Sequence, residues 1–231
     1  MPSDVPSRDF RDSCSILVLR ISLFRGETMI YLDNAATTWP KPKGVAEAVA
    51  ACIEAVPGTP GRGSHQGARQ AARIVFETRE EAAALFGIED ATRIAFCSNA
   101  TQALNTALFG LLQPGDKVLM SSWEHNAVVR PLHILGQQGV TICEIPPSQE
   151  GPLDLKALED ALPGAKLLVL THASNVTGAI LPIREAAALA AQYGCLVLVD
   201  AAQTAGVEEI QAAWGIHAIA FAGHKGLLGP Q

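Results

Sequence analysis

Leu196-Val197-Leu198-Val199-Asp200-Ala201-Ala202-Gln203 is a short, unbroken aliphatic run that ends on a carboxylate. An apolar run of this length without polar alternation fits a strand of a parallel sheet covered on both faces, with Asp200 at its carboxyl end. The next such run, Ala218-Ile219-Ala220-Phe221, delivers Ala222-Gly223-His224-Lys225-Gly226 in the same way. Successive strands therefore present an aspartate and then a lysine. A lysine shielded from water loses its proton more readily and becomes a nucleophile suited to Schiff-base chemistry. Each residue also has a plainer use: lysines after strands are commonly solvated, and an aspartate there caps the following helix.

Outward from this pair the chain alternates. Strands are expected near Arg93–Cys97, Lys117–Met120, Thr141–Ile145, Lys166–Thr171, Leu196–Asp200 and Ala218–Phe221. Helices are expected near Gln102–Leu112, Val128–Gln137, Leu155–Leu162 and Ile183–Tyr193. Two further helices precede them, Pro42–Val56, which runs into Pro57-Gly58-Thr59-Pro60-Gly61, and Ala68–Phe86, with Gly87 after its end. The pattern predicts an α/β fold, a mostly parallel sheet with helices on both faces. Ligands of such sheets collect at the carboxyl ends of the strands, where Thr101, Asn175, Asp200 and Lys225 all fall.

The 231 residues, 48% of them hydrophobic, suffice for one large core, and with 17% charged and 5% aromatic residues that core must be mainly aliphatic. A net charge of −6 argues against nucleic acid or an anionic membrane as the main partner. The five cysteines, Cys14, Cys52, Cys97, Cys143 and Cys195, form no Cys-x-x-Cys pair. They read as reduced thiols of a cytoplasmic protein, with neither a disulfide framework nor a metal site. No stretch is long enough to span a membrane; Ser15 to Phe24 comes nearest and Arg20 interrupts it. Dinucleotide binding is disfavoured, because Gly61-Arg62-Gly63-Ser64-His65 lacks the required spacing and follows no convincing strand, and there is no P-loop pattern.

A strand-borne aspartate followed by a lysine after the next strand is what pyridoxal phosphate requires, one for the pyridinium nitrogen and the other for the aldehyde. Six segments in order strengthen that reading: Tyr31-Leu32-Asp33-Asn34-Ala35-Ala36-Thr37-Thr38, Ser98-Asn99-Ala100-Thr101-Gln102-Ala103-Leu104-Asn105, Glu124-His125-Asn126, His172-Ala173-Ser174-Asn175-Val176-Thr177-Gly178, Val199-Asp200-Ala201-Ala202-Gln203 and Gly223-His224-Lys225-Gly226. Together they resemble the cysteine desulfurase family, pyridoxal phosphate enzymes of the class V aminotransferase fold. The resemblance implies the large domain of a fold-type I transferase and a desulfurase that takes sulfur from L-cysteine, giving L-alanine and an enzyme persulfide. It also implies homodimerisation and a sulfur-acceptor protein as recipient. Selenocysteine lyase, a class V aminotransferase and a non-catalytic truncated remnant are the alternatives.

Residue by residue, the resemblance makes Lys225 the aldehyde-binding lysine and acid–base group, with His125 beside the ring to help move protons. Ala100, Thr101 and His224 would hold the phosphate. Asp200 would partner the ring nitrogen, and Asn175 and Gln203 the ring oxygen. Asn99 stands where relatives often have glycine, and Ala222 where many carry a hydroxyl. Glu124 reads as structural, and His65 is assigned no role. On their own, Asn99 and Thr101 serve equally as helix caps, His125 as a helix-start residue and the Asn175 segment as a turn.

Residues 1–28 show no period and precede the family pattern, so they are expected to be a non-native or disordered extension, with Met29 as the native start. Residues 29–92 are read as an amino-terminal segment and 93–231 as an incomplete large domain. By resemblance the next strand of the sheet, a substrate-binding arginine and the sulfur-accepting cysteine lie after Gln231. A sheet lacking that strand has open edges, and the isolated chain is expected to fold poorly.

Overall fold

A computed structural model describes residues 20–24 and 27–230. Strands β1 (Arg20–Phe24) and β2 (Glu27–Tyr31) pair antiparallel, with Arg20 opposite Tyr31 and Phe24 opposite Glu27. Part of the segment expected to be an extension is thus strand β1, while residues 1–19, 25 and 26 lie outside the described residues. An arm then leads to helix α1 (Lys43–Ala55), which has no buried residue, and to helix α2 (Gln66–Leu85).

The main sheet follows the expected alternation. Helix α3 (Ala100–Leu111) precedes β3 (Lys117–Ser121), α4 (Asn126–Gln137), β4 (Thr141–Ile145), α5 (Leu155–Ala161), β5 (Leu167–Thr171), α6 (Ile183–Gln192), β6 (Leu196–Asp200) and β7 (Ala218–Ala220). The strand order is β4-β3-β5-β6-β7 and every pairing is parallel. Winding runs one way from β3 to β4 and the other way from β5 onward, so a topological switch point lies between β3 and β5. The register sets Thr171 beside Asp200 and Asp200 beside Ala220, which brings these strand ends to one rim.

Alternate strand residues feed two apolar layers. Leu168, Leu170, Val197 and Val199 pack with Leu158 of α5 and Ala186 and Ala190 of α6. Val118, Leu167, Val169 and Leu198 pack with Leu104 and Leu108 of α3 and Val128 and Leu132 of α4. All five residues of β5 are buried, as a central strand covered on both faces requires.

One expected strand is absent. Arg93–Cys97 is a 3-10 turn over Ala91–Arg93 followed by irregular chain, and Phe96 is exposed. A strand needs a hydrogen-bonded neighbour, and none of the described strands pairs with this segment. Element ends also moved: Asn99 accepts from the Gln102 N–H at 2.8 Å, so α3 begins at Ala100 and includes both Ala100 and Thr101 in its first turn. No helix among the described residues is long and apolar enough to cross a membrane.

Candidate active site

The carboxyl ends of β3, β5, β6 and β7 open on a cavity of about 440 Å³. Ala100, Thr101, His125, Asn175, Asp200, Gln203, His224 and Lys225 all line it, so the residues to which the resemblance gives a cofactor or catalytic role are brought to one place. The volume falls within the range of small-ligand sites, about 300–1,000 Å³.

Asp200 closes β6 and is 4% exposed. Its Oδ1 accepts the Ala202 N–H at 2.9 Å, so it does cap the turn that follows, as well as lining the cavity. Burial raises its pKa, while that hydrogen bond and the charges of His125 and Lys225 act against the rise. Lys225 is half-buried. Desolvation lowers its pKa and the Asp200 carboxylate opposes that. The two groups therefore sit within each other's field, away from full hydration, where a charge interaction is stronger than in water.

His125 is the cap of α4. Its Nδ1 accepts the Ala127 N–H at 3.1 Å, so the proton of the neutral ring sits on Nε2. At the start of α3, Asn99 satisfies the Gln102 N–H through its side chain and the Ala103 N–H through its carbonyl. The N–H groups of Ala100 and Thr101 remain as first-turn donors, a favourable place for an anion. Asn175 is exposed in a turn held by Ser174, whose Oγ accepts from the N–H groups of Val176 and Thr177 at 3.3 and 3.4 Å.

The arm after β2 completes the site in a way the sequence did not reveal. Asp33, Ala35 and Ala36 line the cavity. Gln203 Nε2 donates to the Ala35 carbonyl at 3.1 Å. The Thr38 N–H and Thr37 Oγ1 donate to the His224 carbonyl at 3.3 and 3.2 Å, Lys41 Nζ donates to the same oxygen, and Thr38 Oγ1 donates to the Lys225 carbonyl at 2.7 Å. The lysine loop is thereby clasped by a segment almost two hundred residues away in sequence. On its other side, a Cβ on Gly226 would lie 2.3 Å from the Ala205 carbonyl oxygen, so only glycine allows that approach.

Glu124, read as structural, has a carboxyl sealed from solvent although the residue as a whole is partly exposed. Its Oε1 accepts from Ser121 Oγ at 2.6 Å and the Thr171 N–H at 2.7 Å, and burial pushes its pKa up to about 8.

Comparison with known proteins agrees with this architecture. The aminotransferase class-V family model matches residues 30–231. A probable cysteine desulfurase of Halobacterium salinarum is 34% identical over 224 residues, covering 92% of this chain and 52% of that protein. The apo structure of a cysteine desulfurase from Thermococcus onnurineus NA1 superposes with a TM-score of 0.79 at 33% identity, covering 86% of this chain and 50% of that one. A structure of SspA in complex with cysteine gives a TM-score of 0.80 at 26% identity, covering 87% of this chain and 58% of that one. The chain spans about half the length of the curated relatives it matches.

Proposed function

The chain belongs to the aminotransferase class-V family, and on that footing we propose that it forms the cofactor-binding part of a pyridoxal phosphate-dependent cysteine desulfurase. The observation that carries this reading is the meeting, in one cavity, of a buried carboxylate at the end of β6 and a partly desolvated amine after β7. The donor set suits the cofactor: a carboxylate for a ring nitrogen, an amine for an aldehyde, and uncommitted helix N–H groups for a phosphate.

When bound, pyridoxal phosphate supplies an electron sink for a bond to the substrate α-carbon. The residues of this chain do the rest. Asp200, fixed by the Ala202 N–H, holds the proton on the ring nitrogen. Ala100, Thr101 and His224 hold the phosphate. Lys225 Nζ would hold the aldehyde and, as a free amine, would take and return protons at the substrate; burial favours its neutral form. His125 keeps an Nε2 proton for transfer. Gln203 uses one amide hydrogen on Ala35 and has a second for the ring oxygen beside Asn175.

L-Cysteine is the substrate, an inference supported by the relatives and by the neighbour solved with cysteine. Its sulfur passes to an acceptor thiol as a persulfide and L-alanine leaves. No cysteine among the described residues lines the cavity. A second copy as dimer partner and a sulfur-accepting protein follow from the family resemblance.

The test is to load the protein with pyridoxal phosphate, reduce with borohydride and map the adduct by peptide mass. The adduct is expected on Lys225 and absent from Lys225→Ala. Equal adduct in that variant would overturn the assignment. Sulfide release from L-cysteine by the protein with its complete flanking sequence tests the substrate.

A further inference from the structure

The carboxyl of Glu124 is buried yet used by only one of its oxygens. Oε1 takes both the Ser121 hydroxyl and the Thr171 N–H, while Oε2 is buried without a hydrogen-bond partner. An ionised carboxylate spreads its charge over both oxygens, and a dry, unpaired charged oxygen is among the least tolerated groups in a protein interior. A neutral acid costs less: its carbonyl oxygen accepts twice, and the buried hydroxyl leaves one unpaired neutral donor in place of an unpaired charge. The two anchors are significant in themselves. Ser121 is the last residue of β3 and Thr171 the last of β5, the strands that flank the switch point. Thr171 lines the cavity, and the residue after Glu124 is His125.

We propose that Glu124 is a positioning residue of this site, a neutral carboxylic acid that braces the ends of β3 and β5 and leaves Asp200 as the carboxylate that carries the charge. The titratable groups at the neighbouring element ends are His125 at the cap of α4, His172 after β5, Asp200 at the end of β6 and Lys225 after β7. Asp200 is the one whose charge acts on Glu124, and it favours the protonated form. His172 is itself held neutral by burial, its pKa lowered to about 4, with Nδ1 at 3.0 Å from Thr204 Oγ1. Two buried acids that feel each other's charge do not ionise together readily, so a proton held on Glu124 at neutral pH keeps Asp200 available for a cationic ring nitrogen. Only this last consequence rests on the pyridoxal phosphate reading.

Infrared spectroscopy of cofactor-free protein tests the brace independently of that reading. At neutral pH the wild type is expected to show a protonated-carboxyl carbonyl band that Glu124→Gln lacks. The band should fade as pH rises through about 8, and Asp200→Asn should move the fade to lower pH. Identical spectra for wild type and Glu124→Gln would overturn the neutral acid, and an unmoved fade in Asp200→Asn would overturn the coupling. Titration with pyridoxal phosphate then tests positioning. Glu124→Gln, which mimics the neutral acid, should bind within about twofold of wild type, whereas Glu124→Ala, which orphans two donors, should bind at least about tenfold more weakly. Equal losses in the two variants, or none in Glu124→Ala, would overturn positioning. Should Glu124→Ala fail to fold, the infrared comparison decides. Absence of cofactor binding in the wild type would count against the proposed function and leave the infrared result standing.

Discussion

The sheet and the amino-terminal arm are held in opposite ways. Strands β3 to β7 are fixed by burial: Leu167, Leu168, Val169 and Leu170 are all fully shielded, between helices on both faces. The arm from Tyr31 through α1 buries almost nothing. Helix α1 has no buried residue and Ile53 is 79% exposed. What fixes the arm is polar and concentrated on the His224 and Lys225 carbonyls and on Gln203. The sheet positions the site through its core, whereas the arm is placed by the site itself.

Two substitutions should break this contrast where it is strongest. Leu168→Ala removes a fully buried side chain between β3 and β6, and a loss of about 2–5 kcal/mol is expected. Chemical denaturation would measure it, and a loss below about 1 kcal/mol would mean that the sheet is not the stabilising unit. Gly226→Ala drives a Cβ against the Ala205 carbonyl and should cost about 1–3 kcal/mol by overpacking. It should also displace Lys225, so the borohydride-trapped adduct should fall more than the melting temperature does. An unchanged adduct would show that the loop tolerates the shift.

The same contrast explains what could be read from the sequence. Five of the six expected strands and all six expected helices are found among the described residues, because their apolar runs and periods report burial directly, while β1 and β2 were not expected. Arg93–Cys97 was misread for the complementary reason: its composition is that of a strand, but pairing depends on a neighbour that local pattern does not encode. The eight cavity residues were found because they sit at strand ends or in family motifs. The arm's part was not. Thr37, Thr38 and Lys41 act through contacts with residues 224 and 225, and no local period announces such a contact. Glu124 reads only as structural from the sequence, and it takes the fold to show its carboxyl enclosed and its two donors.

The arm's polar attachment gives the next, smaller effect. Thr38→Val keeps the shape of the side chain and removes the donor to the Lys225 carbonyl, so a loss of about 0.5–1.5 kcal/mol is expected. The loss should appear together with weaker retention of pyridoxal phosphate, read by dialysis and absorbance. Stability lost without any change in retention would mean that the arm merely rests on the loop.

The smallest effect falls on α1, where Ile53→Ser replaces a large apolar side chain that is 79% exposed. If the arm is held by polar contacts at the site and by nothing along α1, the melt of the protein should move by no more than about 0.5 kcal/mol. The groove beside this helix, of about 500 Å³ and lined by Trp39, Val49, Ile53 and Pro230, makes the measurement informative in both directions. A loss well above that limit would mean that Ile53 is covered in solution, and the arm would then share the sheet's mode of stabilisation.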